Sequence, residues 1–108
     1  MTICEPTPRP ILAPTRRPTA TPNARSYFDK AADYYNDGKY QLAIDEFTTA
    51  IRLNTSYTNA YRSRGDAYRE LGQFERAIQD YTKAIQLDPD YALAYNNRGA
   101  AYHQQTPG

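Results

Sequence analysis

Between residues 58 and 91 the apolar positions follow two helical phases separated by a glycine. Tyr61, Gly65, Tyr68 and Leu71 recur at i, i+4, i+7 and i+10, one stripe of an α-helix. Gly72 then offers a left-handed stop. Phe74, Ala77, Ile78, Tyr81, Ala84, Ile85 and Leu87 follow at i, i+3, i+4, i+7, i+10, i+11 and i+13, the wider apolar face of a second amphipathic helix. Pro89 closes it, because a proline disfavours helical geometry in the residue before it. Asp90 is suited to cap whatever helix comes next.

The same pattern stands one step earlier and begins again one step later. Tyr27, Tyr61 and Tyr95 are each 34 residues apart, and residues 24–57 laid on 58–91 give ten identical pairs, among them Tyr34/Tyr68, Gly38/Gly72, Ala43/Ala77, Ile51/Ile85 and Tyr57/Tyr91. A third copy opens at Ala94-Tyr95 and runs through Arg98-Gly99 to Tyr102. The pattern predicts five helices at about 24–37, 41–53, 58–71, 75–87 and 92–105, with no strand. A fixed period of ~20–50 residues marks a solenoid, whose units bury their apolar faces only against neighbours. The small residues Ala31, Gly65 and Gly99, with Ala43/Ala77 and Ala50/Ala84, are where helix axes are expected to approach closely while the tyrosine stripe fills the core.

Composition divides the chain in two. Residues 1–23 hold six of the eight prolines, five threonines and no aromatic, whereas all 14 aromatics lie between 27 and 102. Such a segment cannot bury enough apolar surface to offset its ordering entropy, so 1–23 reads as a disordered arm or linker and 24–105 as the folded domain, with repeats 24–57 and 58–91 and a partial unit 92–105. Arms of this composition also resemble the stalks that tether bacterial surface domains, which leaves the cytoplasm and a membrane-anchored exterior both open. Cys4 is the single cysteine, which excludes an intramolecular disulfide and a thiolate zinc site. No apolar run approaches the ~20 residues that span a bilayer.

At these positions the chain resembles the tetratricopeptide repeat. The places of that pattern are held by Tyr61, Gly65, Tyr68, Gly72, Ala77, Tyr81, Ala84 and Pro89. In the first unit they are held by Tyr27, Ala31, Tyr34, Gly38, Ala43, Phe47 and Ala50, with Thr55 in place of the proline. The resemblance covers about 24–103 and implies an all-α, right-handed superhelical α-solenoid of antiparallel helix pairs, two full units plus a fifth helix. It also implies a concave groove, lined by the first helix of each unit, that receives a peptide or helix of a partner protein.

Residues off the stripe on those first helices are expected to face away from the core, and the candidate partner-binding positions are Phe28, Tyr35, Asn59, Arg62, Asp66, Arg69, Asn96 and Asn97. The chaperone-binding members grip a C-terminal carboxylate with a Lys and an Asn one turn apart on the first helix and with basic residues on the third. Here Phe28 and Ala32 stand at the first pair and Asn96 and Asn97 at the third, so the resemblance does not extend to that clamp. Arg62 and Arg69 suit an acidic group, but Arg62–Asp66 and Asp66–Arg69 also read as solvated i, i+4 and i, i+3 pairs. Arg64 and Arg98 share one repeat position beside the small residue, where a structural role is expected. Phe28 and Tyr35 suit either a packing patch or a docking spot.

Enzyme chemistry finds no inventory. His103 is the one histidine, and no glycine-rich phosphate loop, catalytic set or metal cluster occurs, so no cofactor is expected. A formal net charge of +1 and acids interleaved with Arg62, Arg64, Arg69 and Arg76 argue against nucleic acid. Direct membrane insertion is not expected either. The fifth helix either caps the array by laying Leu93, Tyr95 and Tyr102 on the fourth, or leaves a face open. Two function classes remain: a peptide-binding module, and an assembly element that self-associates through its repeat ends, a homodimer through the terminal helix among them.

Overall fold

The structure, a computed structural model, describes residues 23–105. The helices are α1 (Ala24–Asn36), α2 (Tyr40–Leu53), α3 (Thr58–Glu70), α4 (Phe74–Leu87) and α5 (Ala92–Gln105), with no strand among the described residues. The expected arm lies outside the described residues except for Asn23. That residue caps α1, its side-chain oxygen accepting the Ser26 N–H at 2.9 Å.

Glycine chemistry sets the two hairpins. Gly38 and Gly72 adopt φ of 78° and 79°, a region other residues enter only with strain. The Lys39 N–H then reaches back to the Tyr34 carbonyl at 2.8 Å, and the Gln73 N–H to Tyr68 at 2.9 Å, the bond that closes a helix on a left-handed residue. The turns between units work differently. Asn54 Oδ1 accepts the Ser56 N–H at 3.1 Å and Asp88 Oδ1 accepts the Asp90 N–H at 3.2 Å, so each turn is tied by the residue just past the helix. The N–H of Asp90, the residue expected to cap the next helix, is itself held by Asp88; at the matching place Ser56 is held by Asn54, and α3 follows Tyr57 without a side-chain cap.

Successive helices pack against one another, and α1 also touches α3 and α3 touches α5, whereas α2 and α4 do not meet. The ribbon therefore curves with α1, α3 and α5 on its inner side. Its core is alanine-rich: Ala31, Ala43, Ala50, Ala60, Ala67, Ala77, Ala84, Ala94 and Ala101 are wholly buried, and the large side chains that close the remaining space are Phe47 and Tyr81. The stripe tyrosines Tyr27, Tyr34, Tyr61 and Tyr68 are only half-buried and Tyr95 and Tyr102 are exposed, which corrects the expectation that the stripe itself is core. The rings of Tyr34, Tyr61 and Tyr68 pack against the core from its rim, whereas Tyr81 enters between α3 and α4 where Gly65 leaves room for it.

The closest approach is at Gly65. A Cβ built there would sit 2.9 Å from Tyr81 Cε1 and 3.2 Å from the Ala77 carbonyl oxygen. Its repeat mate Gly99 meets nothing within 4 Å. Accordingly α5 does not lay its large residues on α4: it packs through Ala94 and Ala101, and Leu93 and Tyr95 remain 45% exposed.

This contrast predicts opposite outcomes for one substitution. Gly65→Leu is expected to destabilise by more than the ~1–3 kcal/mol of ordinary overpacking, since backbone as well as a ring must move. Gly99→Leu, on an open helix face, is expected to hold or raise stability by up to ~1 kcal/mol through helix propensity. Thermal melts of both variants check it, and equal melting temperatures would contradict the placement of the α3–α4 contact.

Candidate partner-binding surface

On the inner side, α1 and α3 leave a pocket of about 280 Å³ between them. Phe28, Ala32 and Tyr35 of α1 and Arg62, Ser63 and Asp66 of α3 form its walls, with Phe47 of α2 beneath and Asn36 at one edge. Helical spacing explains the α1 wall: positions 28, 32 and 35 lie on one face, one turn apart, and the small Ala32 keeps the space open. The Phe28 ring meets Phe47 edge-on at 5.5 Å and stacks on Tyr57 at 5.1 Å. Tyr35 packs edge-on against Tyr40 at 5.2 Å. Burial pushes the Tyr35 phenol up to about 12, with the nearby Asp66 and Glu70 carboxylates adding to it, so it is a neutral hydroxyl at the pocket wall.

Beside the apolar wall stands a polar cluster centred on Asp66. Its Oδ2 accepts from Arg62 Nη1 at 2.7 Å, and its Oδ1 accepts from the Tyr81 hydroxyl at 2.5 Å and from Asn97 Nδ2 at 2.9 Å. Arg62 Nε donates to the Tyr91 hydroxyl at 3.1 Å, which in turn donates to Asn59 Oδ1 at 2.6 Å. Burial, and then the bond to Asp66, raise the Tyr81 phenol far above its ordinary value, so it remains a donor at any working pH. Arg69 stands beside that hydroxyl, with its Nε buried and lacking a hydrogen-bond partner.

Two expectations are corrected here. Ser63 and Asp66 do not face away from the core: both are only 8% exposed, because the Tyr81 phenol passes under α3 and brings Asp66 into its interface. The Arg62–Asp66 pair is not a solvated helix contact but a part-buried one tied to two further helices through Tyr81 and Asn97. Arg62 is therefore already committed, and an acidic ligand would have to compete with Asp66 for it. The structural reading of Arg64 holds. It grips Asp80 with two bonds of 2.8 Å and Thr48 with one of 3.1 Å, joining α2, α3 and α4.

Of the eight candidate positions, Phe28, Tyr35, Arg62 and Asp66 meet at the pocket, and Asn59 and Asn97 join through the polar cluster. Arg69 borders that cluster at Tyr81, and Asn96 is exposed on α5 away from it. Ala32, on the off-stripe face of α1, and Phe47 and Tyr91, which spacing does not single out as ligand-facing, complete the site. The one signal was the Tyr57/Tyr91 identity, which lies on neither helical stripe and places an aromatic at each turn into an inner helix. Among the described residues no His, Cys, Asp or Glu group could hold a metal ion, and no helix is long and apolar enough to cross a membrane.

A family model described as TPR repeat matches residues 65–105. Among solved structures, the chain is similar to MamA protein at 34% identity and a TM-score of 0.75, covering 77% of this chain and 45% of that one, so it spans less than half of the MamA chain. It is similar to the second TPR of Spaghetti (RPAP3) bound to HSP90 peptide SRMEEVD at 32% identity and a TM-score of 0.74, covering 75% of each chain. The Arabidopsis OM64 TPR domain matches at 32% identity and a TM-score of 0.73, over 75% of this chain and 67% of that one. No curated protein matches.

The first unit suggests a test of the Asp66 cluster, since it holds Phe47 and Ala32 where the second holds Tyr81 and Asp66. Asp66→Ala alone is expected to cost about 3–5 kcal/mol, because it strands Arg62 and the Tyr81 hydroxyl. Adding Tyr81→Phe removes one stranded donor, so the double variant should cost less than the sum of the two singles by ~1 kcal/mol or more in a denaturation cycle. Strict additivity would show that the two side chains are not coupled.

Proposed function

The chain belongs to the tetratricopeptide repeat family, and from that premise we propose that it is a protein-interaction module whose inner surface binds a segment of a partner protein by seating an apolar side chain in the α1–α3 pocket. The observation that carries this reading is the pocket wall itself, with two aromatic rings and an alanine facing an arginine whose charge is already taken up by Asp66. Apolar walls with a few fixed polar groups favour an apolar anchor flanked by backbone that can bond to Ser63 or Asn36. A free carboxylate gains little there, because Phe28 and Ala32 offer it no donor. The similar second TPR of Spaghetti (RPAP3) is bound to an HSP90 peptide, which supports a peptide segment as the kind of partner this chain takes.

The binding positions on this reading are Phe28, Tyr35, Arg62 and Asp66 at the pocket, extended by Asn59, Arg69, Asn96 and Asn97 along the inner face. The module is read as non-catalytic, with residues 24–105 as its folded unit and neither nucleic acid nor membrane as its target. Self-association through the terminal helix is the competing reading, favoured by the exposure of Leu93 and Tyr95. A mass that rises with concentration in light scattering would support it.

An NMR titration separates anchor types. Labelled protein would be titrated with SRMEEVD and with amidated heptapeptides that place Leu, Met or Phe at the centre. The apolar set is expected to shift the amides of Phe28, Ala32, Tyr35 and Arg62. Ala32→Glu, which fills the pocket from a half-buried helix position, should weaken that binding by ~1–3 kcal/mol with little change in melting temperature. A response confined to SRMEEVD and centred on Asn96 and Asn97 would contradict the proposal.

A further inference from the structure

The three arginines of α3 are not in the same state. Arg62 is held by Asp66 at 2.7 Å and by the Tyr91 hydroxyl at 3.1 Å, and Arg64 is spent on Asp80 and Thr48. Arg69 belongs to none of the ion pairs among the described residues, which join Arg25 to Asp29, Arg62 to Asp66 and Arg64 to Asp80. Its Nε is buried without a hydrogen-bond partner, a state that is costly for a charged group. The carboxylates next to it in the chain do not meet the need: Asp66 already accepts from Arg62, Tyr81 and Asn97, and Glu70 is exposed at the end of α3. The repeat fixes where this arginine stands. Phe28, Ala32 and Tyr35 of α1 have Arg62, Asp66 and Arg69 as their counterparts on α3. Arg69 is therefore level with Tyr35, one helical turn or ~5 Å past Asp66 at the end of the α1–α3 pocket, and its charge acts on the Tyr35 phenol. The residue is half-buried rather than covered, so a ligand can reach its guanidinium.

We propose that Arg69 selects the partner segment, by pairing with the side chain of an Asp or Glu two positions away from the apolar residue seated in the α1–α3 pocket. The inference rests on the pocket reading given above and adds the charge and the spacing that reading leaves open. An acid is required because the guanidinium has donors to offer and no carboxylate against it, whereas Arg62 would have to give up Asp66 first. The spacing follows from the geometry of an extended segment. Alternate side chains point to the same side and stand ~7 Å apart, so an anchor between Ala32 and Asp66 carries its second neighbour to the level of Tyr35 and Arg69. A residue directly beside the anchor points the other way. This acid is an internal side chain, not a chain end: Arg69 lies on α3, outside the first-helix and third-helix positions, here Phe28, Ala32, Asn96 and Asn97, that grip a terminal carboxylate in the chaperone-binding members.

The probes are N-terminally labelled, amidated heptapeptides with Leu at the centre, so that no terminal carboxylate takes part, titrated into the full chain and followed by fluorescence anisotropy. One pair places Glu two positions after the leucine or two before it, a second pair places Glu directly beside it, and each has a twin with Gln in place of Glu. One member of the first pair is expected to bind about fivefold or more tighter than its Gln twin, and the second pair to show no gain. Arg69→Gln should abolish the gain and leave the Gln twin's affinity unchanged, Arg69→Lys should keep part of it, and on Arg69→Glu a Lys peptide should bind better than the Glu one. The inference is overturned if the Gln twin binds and is weakened by Ala32→Glu, as the pocket reading requires, yet Glu two positions away gives no gain. It is equally overturned if Glu beside the leucine gains as much, or if the gain survives Arg69→Gln. Because the Glu and Gln twins are compared on the unaltered chain, the first of these outcomes does not depend on any Arg69 variant folding. Failure of every Gln twin to bind, with Glu giving no binding either, would instead remove the pocket reading and the inference with it.

Discussion

The Tyr81 ring lies where Gly65 has no side chain, and its hydroxyl continues past the α3 backbone to Asp66 on the inner surface. One side chain thus performs two tasks that are separate in most folds: it sets the spacing of a helix pair and it positions a charged group in the groove. The ring fits because any Cβ at residue 65 would overlap it. The hydroxyl, buried with the ring, needs an acceptor, and Asp66 supplies one that is also held by Arg62 and Asn97. A buried carboxylate with three donors is stable only while all three remain, so packing between α3 and α4 and the electrostatics of the groove rise and fall together.

The first unit solves the same problem without polarity. Phe47 replaces Tyr81 and Ala32 replaces Asp66, and the result is a floor and wall of carbon beside the polar cluster of the second unit. The contrast between neighbouring units creates the pocket: its α1 side is aromatic and small, its α3 side charged but internally neutralised. Stacking of Phe28 on Tyr57 and its edge contact with Phe47 fix the wall before any ligand arrives, which lowers the ordering cost of binding.

Much of this fold was legible from spacing alone. Each helix is within about a residue of the place its apolar period assigns. Gly38 and Gly72 stop helices as their phase requires, and Gly65 marks the tight crossing. The site was less legible, for a physical reason. Periodicity sorts residues by which face of their own helix they occupy, and by that rule Asp66 belongs with the solvated positions. Its burial depends on a hydroxyl from α4 and an amide from α5, 15 and 31 residues away, which no single-helix pattern contains. The same blindness exchanged the roles of tyrosine and alanine in the core, since a stripe tells which side faces inward but not how near the neighbouring backbone comes. Arg62 looked available for an acidic ligand because Tyr91, its second acceptor, lies 29 residues on, beyond the whole of α4 at the end of the same unit.

The central claim is that the Tyr81 phenol joins the Gly65 crossing to Asp66 in one locked arrangement. Proton NMR of the aromatic and hydroxyl region tests it most directly. The account predicts a slowly exchanging Tyr81 hydroxyl proton with nuclear Overhauser contact to the Asn97 side-chain amide, and Tyr81 ring protons in contact with the Gly65 α-protons. A hydroxyl proton lost to rapid solvent exchange, with no ring contact to Gly65, would contradict it.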